Sequence, residues 1–220
     1  MRRFRTSGLV KAIALGVSAL VCGCGSSYKH AANLDTPNQG IVCLGDSLTS
    51  GYGATPGNSY PEHLSRLLGE RVVNAGIEGD TSGDALARLK EDVLSRSPRL
   101  VIVLVGGNDF LQQIPREQTV ENVERIVAQC VAARSMVILI HLKAGVLSDP
   151  YYDGFEAVAE RHGAVFVPEI LKGIFGKPRL MSDQIHPNDQ GYAVMAERIA
   201  EAAAPLLEAA DEVRRANETP

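Results

Sequence analysis

The chain has 220 residues, 45% of them apolar and 22% charged, which is ordinary for one folded domain with short appendages. Its net charge is −4, but four basic residues lie within residues 1–23, and beyond that stretch 18 basic and 26 acidic residues remain. A chain this acidic, with no stripe of basic residues, is poorly suited to bind the phosphate backbone of a nucleic acid. We therefore expect no nucleic-acid partner.

The first 23 residues have the pattern of a signal peptide. A basic opening precedes about ten small and apolar residues, Ala12 to Val21, a run that is short for a membrane span. It ends in Val21-Cys22-Gly23-Cys24, which resembles the bacterial lipoprotein signal with Cys24 in the register of the lipidated residue. We therefore predict a lipid anchor at Cys24 and a place in the bacterial cell envelope. Cleavage near Ala31 or an uncleaved anchor are the alternatives.

The residues after Cys24 predict a tether. From residue 25 to residue 39 the sequence is polar and has no periodicity, which is typical of a linker between a membrane and a domain. We assign residues 24–39 to this tether, residues 40–207 to the folded domain, and residues 208–220 to a charged, solvated tail.

Short aliphatic runs alternate with helical patterns through the domain. Five runs predict strands: Ile41–Leu44, Val72–Val73, Leu100–Val105, Met136–Leu142 and Ala164–Val167. Apolar residues recur at helical spacing between them, and a last helix follows Pro187, with Pro205 expected to end or kink it. Strands alternating with helices predict an α/β fold of three layers, α/β/α, around a five-stranded parallel sheet.

Polar turns follow the first three predicted strands. Gly45-Asp46-Ser47 follows the first, Gly79-Asp80 lies in the turn after the second, and Gly107-Asn108-Asp109 follows the third. A fourth block, Asp183-x-x-His186, opens the last helix. Since the carboxyl ends of parallel strands meet at one edge of a sheet, we expect these blocks to converge there.

The residue types in these turns suit acyl transfer. A serine hydroxyl becomes a nucleophile when an imidazole takes its proton, and a carboxylate then holds the imidazole in place. Asp183 and His186 are close enough for one turn to present both to Ser47. The backbone N–H groups of Ser47 and Gly79 and the amide of Asn108 could stabilise the developing oxyanion.

Taken in order, the four blocks resemble those of the GDSL, or SGNH, hydrolases over residues 41–203. The resemblance implies a flavodoxin-like sheet, Ser47 as nucleophile, His186 and Asp183 as the rest of a triad, and an oxyanion hole of Ser47, Gly79 and Asn108. Within that superfamily the blocks look most like those of periplasmic arylesterases, thioesterases and lysophospholipases. The Gly-x-Ser-x-Gly elbow is excluded because Thr49 stands where it needs glycine.

Two apolar segments could form the wall of a substrate pocket. Phe110, Leu111 and Ile114 follow Asn108 directly and suggest an acyl-binding wall, or alternatively pack a helix onto the sheet. A second candidate wall runs over residues 143–147 and continues in Tyr151, Tyr152 and Phe155.

The remaining polar residues of interest have structural interpretations. We read Asp46, Asp80 and Asp109 as turn or cap residues, and Ser82 as a helix cap. His141 should be structural, and two cysteines, Cys43 and Cys130, should be small core residues. Cysteine spacings of this kind cannot form a zinc site, so we predict no metal and no cofactor.

These patterns together predict a monomeric serine esterase that hydrolyses carboxylic esters or thioesters of small molecules or lipids through an acyl-enzyme. Its contact with a membrane would be the lipid anchor. A polysaccharide O-acetylesterase and a non-catalytic lipoprotein that binds acyl or glycan ligands are the competing hypotheses.

Overall fold

A computed structural model describes residues 28–143 and 149–218, so the predicted signal peptide and Cys24 lie outside the described residues. Five strands form one parallel sheet in the order β2-β1-β3-β4-β5. The strands are β1 (Ile41–Gly45), β2 (Val72–Gly76), β3 (Leu100–Leu104), β4 (Met136–Ile140) and β5 (Val165–Val167). The predicted five-stranded parallel sheet is confirmed.

Helices cover both faces of the sheet. They are α1 (Ser47–Ser50), α2 (Tyr60–Leu68), α3 (Ser82–Asp92), α4 (Gly107–Leu111), α5 (Arg116–Ala132), α6 (Tyr152–His162) and α7 (Asp189–Glu218), with short 3₁₀ turns at Tyr28–His30, Leu94–Arg96 and Pro178–Leu180. Alternate residues of each central strand enter two separate cores. Ile41 and Cys43 pack under α2 and α7, whereas Val42 and Leu44 pack under α3 and α5. All five residues of β1, β3 and β4 are therefore buried, as continuous apolar runs require.

The register of the sheet places the polar turns side by side. Gly45 pairs with Gly76 on one side and with Leu104 on the other, so β1, β2 and β3 end at one level. Both glycines are needed for close packing. A Cβ on Gly45 would lie 2.5 Å from the Leu104 carbonyl oxygen, and one on Gly76 would lie 2.2 Å from the backbone nitrogen of Ser50 in α1.

The predicted tether is wrong for residues 28–39, which pack against the domain. The backbone N–H of Ala32 donates to Gly163 O at 2.9 Å, and the Asn33 amide donates to Val131 O at 2.8 Å and to Ser135 O at 3.0 Å. These carbonyls lie at the end of α5 and just before β4 and β5. These hydrogen bonds hold the segment against the domain, so residues 28–39 are part of the fold.

Of the two alternatives predicted at Pro205, the end of the helix is wrong, and the predicted solvated tail is wrong as well. Helix α7 continues through Pro205 to Glu218, because apolar residues recur at helical spacing beyond it: Leu206, Leu207 and Ala210 are buried in the core shared with α2. Asp211, within the predicted tail, pairs with the Arg99 guanidinium at 2.9 Å. None of the described helices is long and apolar enough to cross a membrane.

Candidate active site

Ser47 is the first residue of α1, directly after β1. The carboxylate of Asp46 caps that helix by accepting a hydrogen bond from the Leu48 N–H at 2.9 Å. The Ser47 hydroxyl lies 3.0 Å from His186 Nε2, and His186 Nδ1 lies 2.8 Å from Asp183 Oδ2. The structure thus brings together the three residues predicted as a triad, from sequence positions up to 139 residues apart.

The turn that carries Asp183 and His186 is closed by its own hydrogen bonds. Asp183 Oδ1 accepts from the backbone N–H groups of Ile185 at 2.8 Å and His186 at 2.7 Å, while Oδ2 faces the imidazole. The bond from the His186 side chain, followed by these two backbone bonds, lowers the pKa of Asp183 to about 2. The ionised carboxylate accepts a hydrogen bond from Nδ1–H, which holds the proton on Nδ1 and leaves Nε2 free to accept the proton of the Ser47 hydroxyl.

The cavity that His186 lines is also lined by the three residues predicted as oxyanion donors: Ser47, Gly79 and Asn108. The Asn108 amide donates to the backbone oxygen of Asp80 at 2.9 Å, which fixes the amide plane and leaves its second N–H for a ligand. Gly79 has a φ of 84° and open space beside it. Within the described residues, the backbone N–H groups of Ser47 and Gly79 donate no hydrogen bond to the chain.

The other acidic residues of the motifs hold the turns, as predicted. Asp80 pairs with Arg88 Nε at 2.6 Å, and the fully buried Asp109 accepts from the Ser82 N–H at 2.8 Å and from the Thr119 hydroxyl at 3.1 Å. The prediction for Ser82 is wrong, because Thr81 caps α3 while the Ser82 hydroxyl is bound to Asp109.

A cavity of about 840 Å³ opens beside Ser47. Five of its lining residues are large apolar side chains between 42% and 61% exposed: Tyr52, Phe110, Leu111, Phe175 and Ile185. Phe110 and Leu111 were predicted here. Tyr52, Phe175 and Ile185 were not predicted to lie in the cavity. For Ile185 the sequence did contain a signal, since an apolar residue stands inside the Asp-x-x-His turn.

Other predicted wall residues lie elsewhere. Ile114 is outside the cavity, because its N–H closes the turn onto Asp109 O just before α5 begins. Lys143 lines the cavity, and residues 144–147 lie outside the described residues. Tyr151 and Phe155 do not line the cavity, because they are buried in the core beneath α6 with their rings stacked on each other. Tyr152 does not line it either, and its ring packs against His141.

Two further side chains lie near the imidazole of His186. The Tyr52 ring lies against it, with 4.5 Å between ring centroids. The Asp46 carboxyl is only 3% exposed, and burial raises its pKa to about 6, although the bond from Leu48 N–H and the charge of His186 work in the opposite direction. A second carboxyl with a shifted pKa thus lies next to the nucleophile.

The residues read as structural have structural surroundings. His141 is fully buried and its Nε2 lies 3.0 Å from Asp149 Oδ2, and both Cys43 and Cys130 are buried. Burial raises the pKa of either thiol to about 12, so neither is reactive. No group of His, Cys, Asp or Glu within the described parts of the chain is arranged to hold a metal ion.

Comparison with known proteins agrees with this geometry. Residues 43–194 match the model of the GDSL-like lipase/acylhydrolase family. The chain belongs to that family. As a GDSL hydrolase it is 31% identical over 186 residues to thioesterase 1/protease 1/lysophospholipase L1 of Escherichia coli K12, covering 81% of this chain and 88% of that protein. It is 29% identical over 172 residues to an arylesterase of Vibrio mimicus, covering 73% of this chain and 86% of the relative.

The fold of this GDSL hydrolase also matches a solved structure. The psychrotrophic esterase EstA from Pseudoalteromonas superposes with a TM-score of 0.70 at 26% identity, over 78% of this chain and 100% of EstA. The solved EstA is inhibited by monoethylphosphonate. The family and these relatives identify the chain as a hydrolase that acts on ester bonds.

Proposed function

We propose that the chain is a serine esterase that hydrolyses carboxylic esters or thioesters through an acyl-enzyme on Ser47. The observation that carries this proposal is the continuous path from Ser47 Oγ through the His186 ring to Asp183, with separations of 3.0 Å and 2.8 Å, at the mouth of an apolar cavity.

The reaction follows from the positions of these groups. His186 Nε2 takes the hydroxyl proton while Ser47 Oγ attacks the ester carbonyl carbon, and the carbonyl oxygen becomes an anion facing Gly79 and Asn108. When the tetrahedral intermediate collapses, the imidazolium returns the proton to the leaving alcohol or thiol, and Ser47 keeps the acyl group. A water molecule then attacks the acyl-enzyme, with His186 again as base, and releases the acid.

The nucleophile can be tested with Ser47→Ala, which opens no cavity because Ser47 lies at the site surface. We expect loss of both nitrophenyl-ester hydrolysis and labelling by a fluorophosphonate, with an unchanged melting temperature. Ser95→Ala, which removes an exposed serine hydroxyl, is the matched control and should keep both activities. Hydrolysis by Ser47→Ala within tenfold of the wild type would contradict the assignment, and absence of labelling in the wild type would favour a binding protein.

The five exposed apolar side chains around the cavity favour an acyl chain longer than acetyl. Covering them with an acyl chain removes apolar surface from water, at about 25 cal/mol per Å². A series of nitrophenyl esters from two to twelve carbons should therefore give the highest kcat/KM above two carbons. Phe110→Ala should lower kcat/KM for the longer esters and leave the acetyl ester unchanged. A maximum at acetyl, together with release of acetate from acetylated polysaccharide, would instead support the O-acetylesterase hypothesis.

We further propose that the enzyme is exported to the bacterial envelope and anchored by lipid on Cys24. The support is the basic and apolar N-terminal sequence and the register of Val21-Cys22-Gly23-Cys24. Since each buried acyl methylene contributes about 0.8 kcal/mol, the wild type should enter the detergent phase and Cys24→Ser the aqueous phase. A wild type in the aqueous phase, with its mature N-terminus beyond Cys24, would show ordinary secretion instead.

A further inference from the structure

Arg88 reaches from α3 to the underside of the active site. Its side chain is 14% exposed, and its guanidinium makes three contacts. Nε lies 2.6 Å from Asp80 Oδ2, one terminal nitrogen lies 3.0 Å from Asp92 Oδ2, and the other donates to the backbone oxygen of Gly45 at 3.0 Å. None of its atoms lines the cavity, so Arg88 does not meet a substrate there.

Two of these contacts lead directly to the oxyanion donors. Gly45 is the last residue of β1 and precedes Ser47 by two positions, so a bond to its carbonyl fixes the turn that carries the Ser47 N–H. Asp80 follows Gly79, and the backbone oxygen of Asp80 accepts from the Asn108 amide at 2.9 Å. One guanidinium therefore joins the turns that carry the Ser47 and Gly79 N–H groups, and the second of these turns is bonded to the Asn108 amide.

We propose that Arg88 is a positioning residue that sets the spacing of the three oxyanion donors and so acts on the transition state through them. This inference rests on the proposed function. A guanidinium suits the task because its planar fork donates in two fixed directions at once, here to a carboxylate and to a carbonyl. Precise spacing matters because a donor stabilises the oxyanion only at hydrogen-bonding distance from its final position.

The test compares Arg88→Met, which removes both contacts, with Arg88→Lys, which keeps a charge for Asp80 but has no fork. We expect Arg88→Met to lower kcat for a nitrophenyl ester by about 10–100-fold with little change in KM, and Arg88→Lys to recover part of the loss. Asp92→Ala is the matched control, because it removes the third, more exposed contact of Arg88 and leaves Asp80 and Gly45 bound. Its kcat should equal that of the wild type.

A double variant separates positioning from a general structural role. If Arg88 acts through the oxyanion hole, its loss should matter less once the hole has lost Asn108, because fewer donors remain to be positioned. The kcat of Arg88→Met/Asn108→Ala should then be clearly higher than the product of the two single losses predicts. Additive losses, or a change confined to KM, would overturn the proposal.

The same series of variants includes a control for loss of folding. Arg88→Met leaves the Asp80 carboxylate poorly exposed and without its partner, which destabilises proteins. Should that variant fail to fold, Arg88→Met/Asp80→Asn removes both charges, and its kcat is measured instead. A folded variant of either kind with kcat within threefold of the wild type refutes the inference about Arg88, whereas a wild type that neither hydrolyses esters nor takes the label refutes the proposed function itself.

Discussion

The Asn108 amide is held by the backbone oxygen of Asp80 and faces the cavity, so it is placed before any substrate arrives. In serine hydrolases the removal of one preorganised oxyanion donor costs about 10²–10³ in kcat. We therefore expect Asn108→Ala to fold and to lose kcat by about that factor, with KM little changed, in steady-state kinetics. Asn122→Ala removes an amide that binds Ser82 and does not line the cavity, and it should keep full kcat.

If Asn108→Ala altered KM alone, the amide would be a substrate-binding or turn residue. That outcome would leave the triad in place and remove only one member of the oxyanion hole.

The buried carboxyl of Asp46 makes stability depend on pH. Its pKa is raised to about 6 in the folded chain from 3.8, so the folded state holds a proton that the unfolded state has released. The stability that this group contributes is therefore fully present below the unfolded pKa of 3.8 and is lost as the pH rises through about 6. Asp46→Asn keeps an oxygen for the Leu48 N–H without the charge, so it should raise the free energy of unfolding at pH 8 by roughly 1–3 kcal/mol.

Urea unfolding of wild type and Asp46→Asn at pH 5 and pH 8 checks this prediction. The difference between the two proteins should be larger at pH 8, while Asp153→Asn, on an exposed position of α6, should show no such change. An equal difference at both pH values would mean that the Asp46 carboxyl titrates in its ordinary range.

Among the strands, the sequence predicted the starting residues, which depend on the local run of apolar residues. The predicted starts of β1, β2, β3 and β4 agree with the structure, because aliphatic runs of this kind occur where a strand is covered on both faces. The ends differ by one to three residues, since pairing with neighbouring strands decides where a strand ends. In β4, for example, the run continues through His141 and Leu142 after the ladder has stopped.

The errors fall where distant contacts decide the structure. The packing of residues 28–39 was missed because the segment is held mainly by hydrogen bonds to distant backbone carbonyls, with apolar contacts only from Tyr28, Ala31 and Leu34. The motif residues of the site were found because each block follows directly on a strand or opens α7. Tyr52 and Phe175 were missed because they reach the cavity from loops whose paths depend on tertiary packing.

The extension of α7 gives a test at this scale. Removal of residues 208–220 would take the buried Ala210 out of the core and Asp211 away from Arg99. Among the described residues, Arg99 Nε already has no hydrogen-bond partner. We expect the free energy of unfolding to fall by about 1–3 kcal/mol in urea titration. Glu212→Ala, on an exposed position of the same turn, should leave it unchanged, and an unaffected truncated protein would restore the idea of a solvated tail.

Over the whole molecule, the two ends of the parallel sheet have different contacts. The cavity, Ser47 and His186 lie where the strands end. Residues 32–38 cross the opposite end of the sheet, where β3, β4 and β5 begin. There they donate hydrogen bonds to the backbone oxygens of Pro98, Ala133 and Gly163. The part of the chain that enters the domain and the part that meets the substrate are separated by the full length of the strands.

This separation gives the proposed lipoprotein an orientation. Only residues 25–27 lie between Cys24 and the described part of the chain, and four peptide steps span at most about 14 Å. A lipid on Cys24 would therefore hold the end of the sheet where the strands begin close to the bilayer. The cavity mouth, at the other end of the strands, would then face away from the membrane that holds the anchor. The enzyme's substrates would be esters that diffuse through the aqueous compartment or lie on a surface opposite that membrane.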